Sequence, residues 1–391
     1  MLFRDIIGQK DLIEKLIGAV QAGRIPHAQL FSGPEGNQKL PLALAYAQYI
    51  NCKHKLFASD GIDLQGLSSD SCGKCSSCIK FGKLIHPDLH FFYPNNNGSF
   101  VKKDSQSIDY ISLWRDLTLK KQGEFSYNEW IETMDIGNRQ ASLNIRDCNT
   151  ILQTLCLKSF EADFRIVILW MVEKLSASIS SVILKTLEEP EPKTVFLLIA
   201  ENQDQILGTI LSRTQIIRVP RIETEDLKNG LIQKGTNETS ALNIAASSGG
   251  NLIEALCKLS MAGNESLFHE YFADWMRICY KVDMPALLLF SDKISSLGRE
   301  NLKYFLQECL DEFRGCLLTR NHNETWLKVD AEKQKFWTNF SKYISNKNIP
   351  QYYKIINDAI YSIERNAHIP TLFTDASLEF CRLIAAERKR T

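Results

Sequence analysis

Short apolar segments alternate with amphipathic stretches over the first 220 residues of the chain. The apolar segments lack the polar alternation of a half-exposed strand, which is typical of strands buried on both faces of a parallel sheet. We predict strands at 27–31, 89–93, 165–171, 194–200 and 215–219. We predict helices at 11–20, 40–50, 145–157 and 206–211, and one that ends at Pro190 with Ser176 and Ser178 as N-cap candidates. Strands that alternate with helices indicate an α/β fold, a parallel sheet with helices on both faces.

Two parts of the chain depart from this alternation. Residues 95 to about 143 are polar and irregular, and we interpret them as a partly helical insertion on the edge of the first domain. Beyond Pro220 the apolar strands stop. Residues 223–262 indicate a small helical unit broken at Gly249-Gly250, and residues 263–391 indicate several longer amphipathic helices.

The composition is that of a globular protein. Of the 391 residues, 44% are hydrophobic and 24% are charged, and 46 basic residues balance 46 acidic ones. A chain that coats nucleic acid through bulk charge is strongly basic, so any nucleic-acid contact here is a local patch. The apolar runs are far shorter than the roughly 18 residues of a membrane span, and the charged start has no apolar secretory region. We expect a cytoplasmic protein with reduced cysteines.

The turn after the first predicted strand has the position of a phosphate-binding loop. In the pattern G-x-x-x-x-G-K-[ST], backbone N–H groups surround phosphate, the lysine reaches the β and γ phosphates, and the hydroxyl holds Mg²⁺. Gly33 and Lys39 match this pattern, and Pro34 and Gly36 belong to the same degenerate loop. Gln38 replaces the second required glycine, and Leu40 replaces the hydroxyl residue. A simple tight turn is the alternative, and whether Lys39 binds nucleotide stays open.

The end of the strand at 165–171 should supply the rest of an ATPase site. An ATPase of this class needs an aspartate there for Mg²⁺ and then a glutamate for the attacking water. These two positions hold Trp170 and Met171. Loss of a general base alone lowers the rate by about 10²–10⁴, and loss of the metal removes further charge stabilisation. We therefore predict that the chain does not hydrolyse ATP by itself.

Several segments resemble the clamp-loader subunits of bacterial DNA polymerase III, which are AAA+ ATPases with a P-loop NTPase-like sheet. These segments are Phe3 to Gln9, Arg24 to Gly33, Leu184 to Pro190 and Thr209 to Arg213. The third is close to the family signature LLKTLEEP, and Ser212-Arg213 followed by Thr214 matches the SRC motif. Together with the defective ATPase positions, the resemblance points to the catalytically silent delta-prime type of subunit.

The resemblance implies that the chain is one of five subunits in a ring and that it has three domains. These are an AAA+ base over 1–220, with a zinc module at about 52–78, a helical lid over 221–262 and a helical collar over 263–391. Active members carry a nucleotide-sensing arginine in a lid motif like GSMRDAL. The similar stretch here is Gly250 to Leu256, and Ile253 stands at the arginine position.

Arg213 follows a short predicted helix, where the helix dipole favours a cation by about 0.3–1 kcal/mol. The resemblance implies a sharper role, because the arginine of the motif at Ser212-Arg213 projects into the ATP site of the adjacent subunit in clamp loaders. A trans arginine raises the rate of hydrolysis by about 10³–10⁵. We expect Arg213 to complete the site of a neighbour.

Four of the eleven cysteines cluster in a pattern typical of a zinc site. Cys72, Cys75 and Cys78 follow C-x-x-C-x-x-C spacing, and Cys52 can fold back as a fourth ligand although nineteen residues separate it from Cys72. A redox pair is disfavoured because no thioredoxin-like context surrounds it, and unliganded buried thiols are disfavoured by the polar neighbours. We predict a structural Zn²⁺.

Three functions stay open at this point. The first is a non-catalytic clamp-loader subunit of the DNA polymerase III holoenzyme, which supports ATP-driven loading of the sliding clamp onto primer-template DNA in chromosomal replication. Its expected partners are gamma/tau and delta subunits. Its expected location is the bacterial cytoplasm, where the replisome would associate it with the nucleoid. The second is an active gamma/tau-type ATPase, against which Leu40, Trp170 and Met171 speak. The third is a zinc-dependent nucleic-acid-binding module, against which the zero net charge speaks.

Overall fold

The computed structural model describes residues 1–137, 139–156, 159–175, 177–261, 265–321, 331–365 and 367–388. The chain divides into two compact units, Met1–Leu256 and Cys257–Thr391. This division does not decide the expected three domains, which stay a prediction. Within the described ranges, no helix combines the length and the hydropathy needed to cross a membrane.

A parallel sheet forms the centre of the first unit. The strands of this unit are β1 (Ala28–Ser32), β2 (Leu56–Phe57), β3 (Ser69–Asp70), β4 (Leu89–Phe92), β5 (Arg165–Trp170), β6 (Thr194–Ala200) and β7 (Gln215–Arg218). Five of them form the sheet in the order β4-β5-β6-β1-β7, and every pairing is parallel. Every residue of β1, β5 and β6 is buried, as expected for central strands covered on both faces. The predicted α/β fold is confirmed.

In the part of the chain that the structure describes, eleven α-helices lie in the first unit or, for the last of them, begin there. They are α1 (Lys10–Gln21), α2 (Lys39–Ile50), α3 (Ser76–Gly82), α4 (Ile111–Lys120), α5 (Tyr127–Met134), α6 (Ile145–Cys156), α7 (Ala177–Glu188), α8 (Gly208–Leu211), α9 (Thr224–Gln233), α10 (Glu238–Ser247) and α11 (Leu252–Met261). The helix predicted at 206–211 begins two residues late, at Gly208, because Leu207 has extended backbone angles. The N-cap candidate Ser176 lies outside the described residues, as does the side chain of Ser178.

The predicted insertion at 95–143 packs into the core of the first unit. Its helices α4 and α5 carry Trp114 and Trp130, both 0% exposed, with ring centroids 5.2 Å apart in a T-shaped arrangement. The two rings belong to the same apolar cluster as α2 and β5. Both tryptophans are flanked by charged residues in the sequence, which hid this packing.

The second unit is helical, as predicted. Its helices are α12 (Glu265–Lys281), α13 (Met284–Ser295), α14 (Arg299–Arg320), α15 (Ala331–Phe340), α16 (Ile349–Glu364) and α17 (Ile369–Arg388). Aromatic rings form its core: Trp275 lies 5.0 Å from Phe380 and 5.1 Å from Phe373 between ring centroids.

Candidate functional site

The turn from β1 to α2 holds the predicted phosphate loop, and two of its glycines are required by close approaches. A Cβ on Gly33 would lie 2.1 Å from Asn37 Nδ2. A Cβ on Gly36, which has a φ of 72°, would lie 1.8 Å from Asn251 Oδ1. The Gly36 carbonyl also accepts a hydrogen bond from the Leu252 N–H at 2.9 Å. The residues that begin α11 therefore lie directly on the loop.

Lys39 is buried, and its ammonium group is bound within the chain. Nζ donates to the Pro34 carbonyl at 2.9 Å and to Asn37 Oδ1 at 3.5 Å. It also lies 3.5 Å from Glu201 Oε1. An ammonium group has three donors, so these acceptors match its whole capacity. Contact with a phosphate would require Lys39 to leave internal partners.

Gln38 and Glu124 meet beneath this loop. Gln38 stands at the position of the second glycine with a φ of 67°, and its Oε1 accepts from the Ile7 N–H at 2.7 Å. Burial raises the pKa of Glu124 to about 7, although a hydrogen bond with the Gln38 side chain and the charge of Lys39 act in the opposite direction. Within the described ranges, Glu124 Oε1 is buried without a hydrogen-bond partner. No sequence motif marked Glu124, because it comes from the insertion.

An apolar cluster fills the position of the Mg²⁺ aspartate. Trp170 is 3% exposed, and its ring centroid lies 5.2 Å from that of Trp114 and 5.4 Å from that of Phe125. Met171 and Leu40 are also 3% exposed. None of these three side chains has an oxygen that could ligate a metal, and their packing excludes water.

Glu173 is the carboxylate that follows this strand, and no motif assigned it a role. Its Oε1 accepts hydrogen bonds from the backbone N–H groups of Glu201 at 2.8 Å and Asn202 at 3.3 Å. Burial raises the pKa of Glu173. Glu173 therefore caps the turn after β6.

Arg213 lies at the C-terminal end of α8 on the protein surface, with 34% of its side chain exposed. Its Nε donates to Glu188 Oε1 at 2.6 Å, and its Nη2 forms an ion pair with the same carboxylate. Its Nη1 donates to the Thr209 carbonyl at 2.9 Å and to Ser212 Oγ at 3.3 Å. The sequence placed Arg213 at a helix end but missed Glu188, which lies 25 residues earlier.

The four predicted zinc ligands come together. The sulfur atoms of Cys52, Cys72, Cys75 and Cys78 all lie within 4.8 Å of one another. Two of these separations, Cys52 to Cys72 and Cys72 to Cys78, are 3.7 Å and 3.8 Å. A tetrahedron with Zn–S bonds of about 2.3 Å has sulfur atoms about 3.8 Å apart. The cluster could therefore bind a metal ion and fits a structural Zn²⁺.

Backbone groups favour thiolates in this cluster. N–H groups donate to sulfur from Cys72 at 3.3 Å, from Lys74 at 3.4 Å and from Cys78 at 3.4 Å. A hydrogen bond from the Cys78 thiol lowers the pKa of Cys52 to about 5, with further help from backbone N–H groups, whereas the same hydrogen bond and burial raise the pKa of Cys78. When bound, Zn²⁺ would supply a cross-link between Cys52 and the turn at 72–78 that carries the other three cysteines.

The start of the chain holds this module in place. Asp70, on β3, accepts hydrogen bonds from the N–H groups of Phe3 at 3.1 Å and Arg4 at 3.3 Å. Its carboxylate also pairs with Arg4 Nε at 3.0 Å. Antiparallel pairing of β2 with β3 closes the long gap between the first and second cysteines.

Comparison with known proteins gives consistent matches. A family model described as "DNA polymerase III, delta subunit" matches residues 8–223, which are 216 of the 391 residues. The chain is 25% identical over 354 residues to DNA polymerase III subunit gamma of Buchnera aphidicola subsp. Acyrthosiphon pisum, covering 85% of this chain and 82% of that protein. It is 23% identical over 248 residues to subunit delta' of Bacillus subtilis, covering 63% and 58%. A solved gamma subunit-related protein from Thermotoga maritima aligns with 96% of this chain and 99% of that chain, at 14% identity and a TM-score of 0.40.

Proposed function

This chain belongs to the DNA polymerase III delta-subunit family of clamp-loader proteins, and we propose that within it the chain is the non-catalytic, delta-prime type of subunit. In this role it assembles with gamma/tau and delta subunits and supports ATP-driven loading of the sliding clamp onto primer-template DNA. It contributes an arginine to the ATP site of its neighbour and hydrolyses no ATP itself. A cytoplasmic location follows from the same role.

One observation carries the proposal: Trp170 lies within an aromatic cluster where an active ATPase needs a metal-binding aspartate. The cluster is built by the insertion, so the metal position has become part of the core. Leu40 removes the hydroxyl ligand, and Lys39 is bound by internal acceptors. Each of these defects acts on a different part of phosphoryl transfer.

Arg213 can leave its internal partner at small cost. An exposed ion pair such as Arg213–Glu188 contributes about 0.2–1 kcal/mol. A trans arginine that accelerates hydrolysis by about 10³–10⁵ lowers the barrier by roughly 4–7 kcal/mol. The gain at a neighbour's γ-phosphate therefore exceeds the loss of Glu188. The partly exposed position of the guanidinium supports this role.

The test measures ATP hydrolysis first with the isolated full chain and then with the chain reconstituted with gamma and delta subunits. We expect no turnover by the isolated chain. In the assembly, Arg213→Ala should remove the contribution of the adjacent site to DNA-stimulated hydrolysis while gel filtration shows an intact complex. Arg382→Ala is the matched control, because Arg382 is also an exposed arginine paired with a glutamate, Glu379.

The two parts of the proposal fail separately. Steady hydrolysis by the isolated chain would overturn the non-catalytic role. Full DNA-stimulated hydrolysis with Arg213→Ala would remove the arginine role and leave the non-catalytic role standing.

A gamma/tau-type ATPase is the second candidate, because gamma subunits match this chain over more of its length than delta' of Bacillus subtilis does, 85% against 63%. The same hydrolysis assay decides between the two candidates. The apolar side chains of Leu40, Trp170 and Met171 favour the non-catalytic type.

A further inference from the structure

One edge of the parallel sheet is open. β7 is the last strand in the sheet order and, among the strands the structure describes, pairs with β1 alone. Half of the backbone N–H and C=O groups of an edge strand point away from its single neighbour. Gln215, Ile216 and Arg218 are exposed, and Ile217 alone is buried. This edge can accept another extended chain.

A groove of about 600 Å³ lies between this edge and α1. Its apolar lining includes Leu12 and Leu16 on α1 and Ile216 on β7, which is 37% exposed. Apolar side chains of a strand added beside β7 would therefore find contacts in the groove. Because alternate residues of a strand point to the same side, every second residue of the added chain would face it.

The groove is positively charged. Lys15, Arg24 and Arg218 line it, all three are exposed, and no acidic residue of the described chain lines it. None of the three forms an ion pair with a described residue, whereas exposed cations such as Lys80 and Lys228 pair with glutamates. Three unpaired cations beside an open edge are a local exception in a chain of zero net charge.

We propose that the β7 edge and this groove bind an extended acidic segment of a partner protein, which adds as a sixth strand of the sheet. A polypeptide offers both N–H and C=O groups to an open edge, whereas a nucleic-acid backbone offers no amide donor. The three cations of this groove are also fewer than the roughly 6–10 phosphate contacts of a strongly salt-dependent nucleic-acid-binding protein. The geometry and the charge therefore both favour an acidic peptide.

The test uses the full chain and a fluorescein-labelled peptide of about ten alternating Glu and Val residues, enough to span the strand. Fluorescence anisotropy should show binding that weakens about tenfold or more with Arg218→Glu or Arg24→Glu, and that falls between about 0.05 and 0.5 M salt. Lys347→Glu, an exposed cation of the second unit, should leave binding unchanged. Hydrogen exchange of the β7 amides should slow when the peptide binds.

Several outcomes would overturn the proposal. These are no binding by the native chain, equal binding of a matched Lys-Val peptide, or unchanged exchange in β7. Displacement of the peptide by single-stranded oligodeoxythymidine would identify the groove as a nucleic-acid site instead. Circular dichroism of each variant shows that lost binding does not come from unfolding. Because the readout is peptide binding, the result does not depend on ATP hydrolysis or on Arg213.

Discussion

Glu124→Gln tests whether a carboxyl group is buried beneath the phosphate loop. Burial raises the pKa of Glu124 in the folded chain from 4.5 to about 7. Between these two values the folded state binds more protons than the unfolded state, so the free energy of unfolding falls as pH rises through this window. Below about pH 4.5 Glu124 is protonated in both states, so its burial does not lower the free energy of unfolding. Above about pH 7 Glu124 is ionised in both states, and the loss of stability that its burial causes is complete.

The size of the effect follows from this difference. A pKa raised from 4.5 to about 7, at about 1.36 kcal/mol per unit, corresponds to roughly 3 kcal/mol at pH 8 and roughly 1 kcal/mol at pH 5. Glutamine has the same shape and carries no charge. We therefore expect the free energy of unfolding of Glu124→Gln, relative to the native chain, to rise by about 2 kcal/mol between pH 5 and pH 8.

Urea unfolding followed by circular dichroism at both pH values measures this change. Comparison of variant with native chain at each pH cancels the titration of all other groups. Glu191→Gln, at an exposed position, is the control and should give the same difference at both pH values. If the free energy of unfolding of Glu124→Gln differs from that of the native chain by the same amount at pH 5 and pH 8, the carboxyl group of Glu124 is not buried beneath the loop.

Three further predictions test the packing around the site. Trp114→Ala should lower the free energy of unfolding by about 3–5 kcal/mol, because Trp114 is 0% exposed. Phe160→Ala is the control and should change it little, because Phe160 is 81% exposed. Chemical unfolding measures both variants. Gly36→Ala should lower the free energy of unfolding by more than the roughly 1–2 kcal/mol that an alanine with left-handed backbone angles costs, because its Cβ would lie 1.8 Å from Asn251 Oδ1. In a double-mutant cycle, Asn251→Ala should remove the part of the loss that comes from this clash. Cys75→Ser should reduce the zinc that co-purifies with the chain and lower its thermal stability, while Cys257→Ser, a half-buried cysteine outside the cluster, should leave the zinc content unchanged; equal zinc in both variants would contradict the metal site.

Features that depend on local pattern could be predicted from the sequence. The strand at 194–200 has the bounds predicted for it, because a run of six apolar residues after Thr194 leaves little choice of structure. The cluster of four cysteines could be predicted because three of them stand at fixed spacing, and Cys52 followed from the need of a zinc site for a fourth ligand.

Features that depend on contacts between distant segments could not be predicted. The insertion reads as a polar edge segment, yet Trp114 packs against Trp170 of β5, and Trp130 packs against Trp114. The ion pair of Arg213 with Glu188 and the contact of Glu124 with Gln38 have no spacing that marks them. In each case the two residues meet because the fold brings distant segments together, and the sequence around each residue does not indicate its partner.

The packing around Trp170 predicts that Trp170→Asp alone would not create a Mg²⁺ site at this position. An aspartate at this position would place a carboxylate in the apolar cluster that contains the rings of Trp114 and Phe125. Burial of an unpaired carboxylate costs several kcal/mol, or keeps the group protonated and unable to bind Mg²⁺. The insertion therefore places core packing at this position, and that packing is favourable only while the position stays apolar. A subunit of this design fits the proposed role, because it can present Arg213 from a base whose own site needs no nucleotide to be packed.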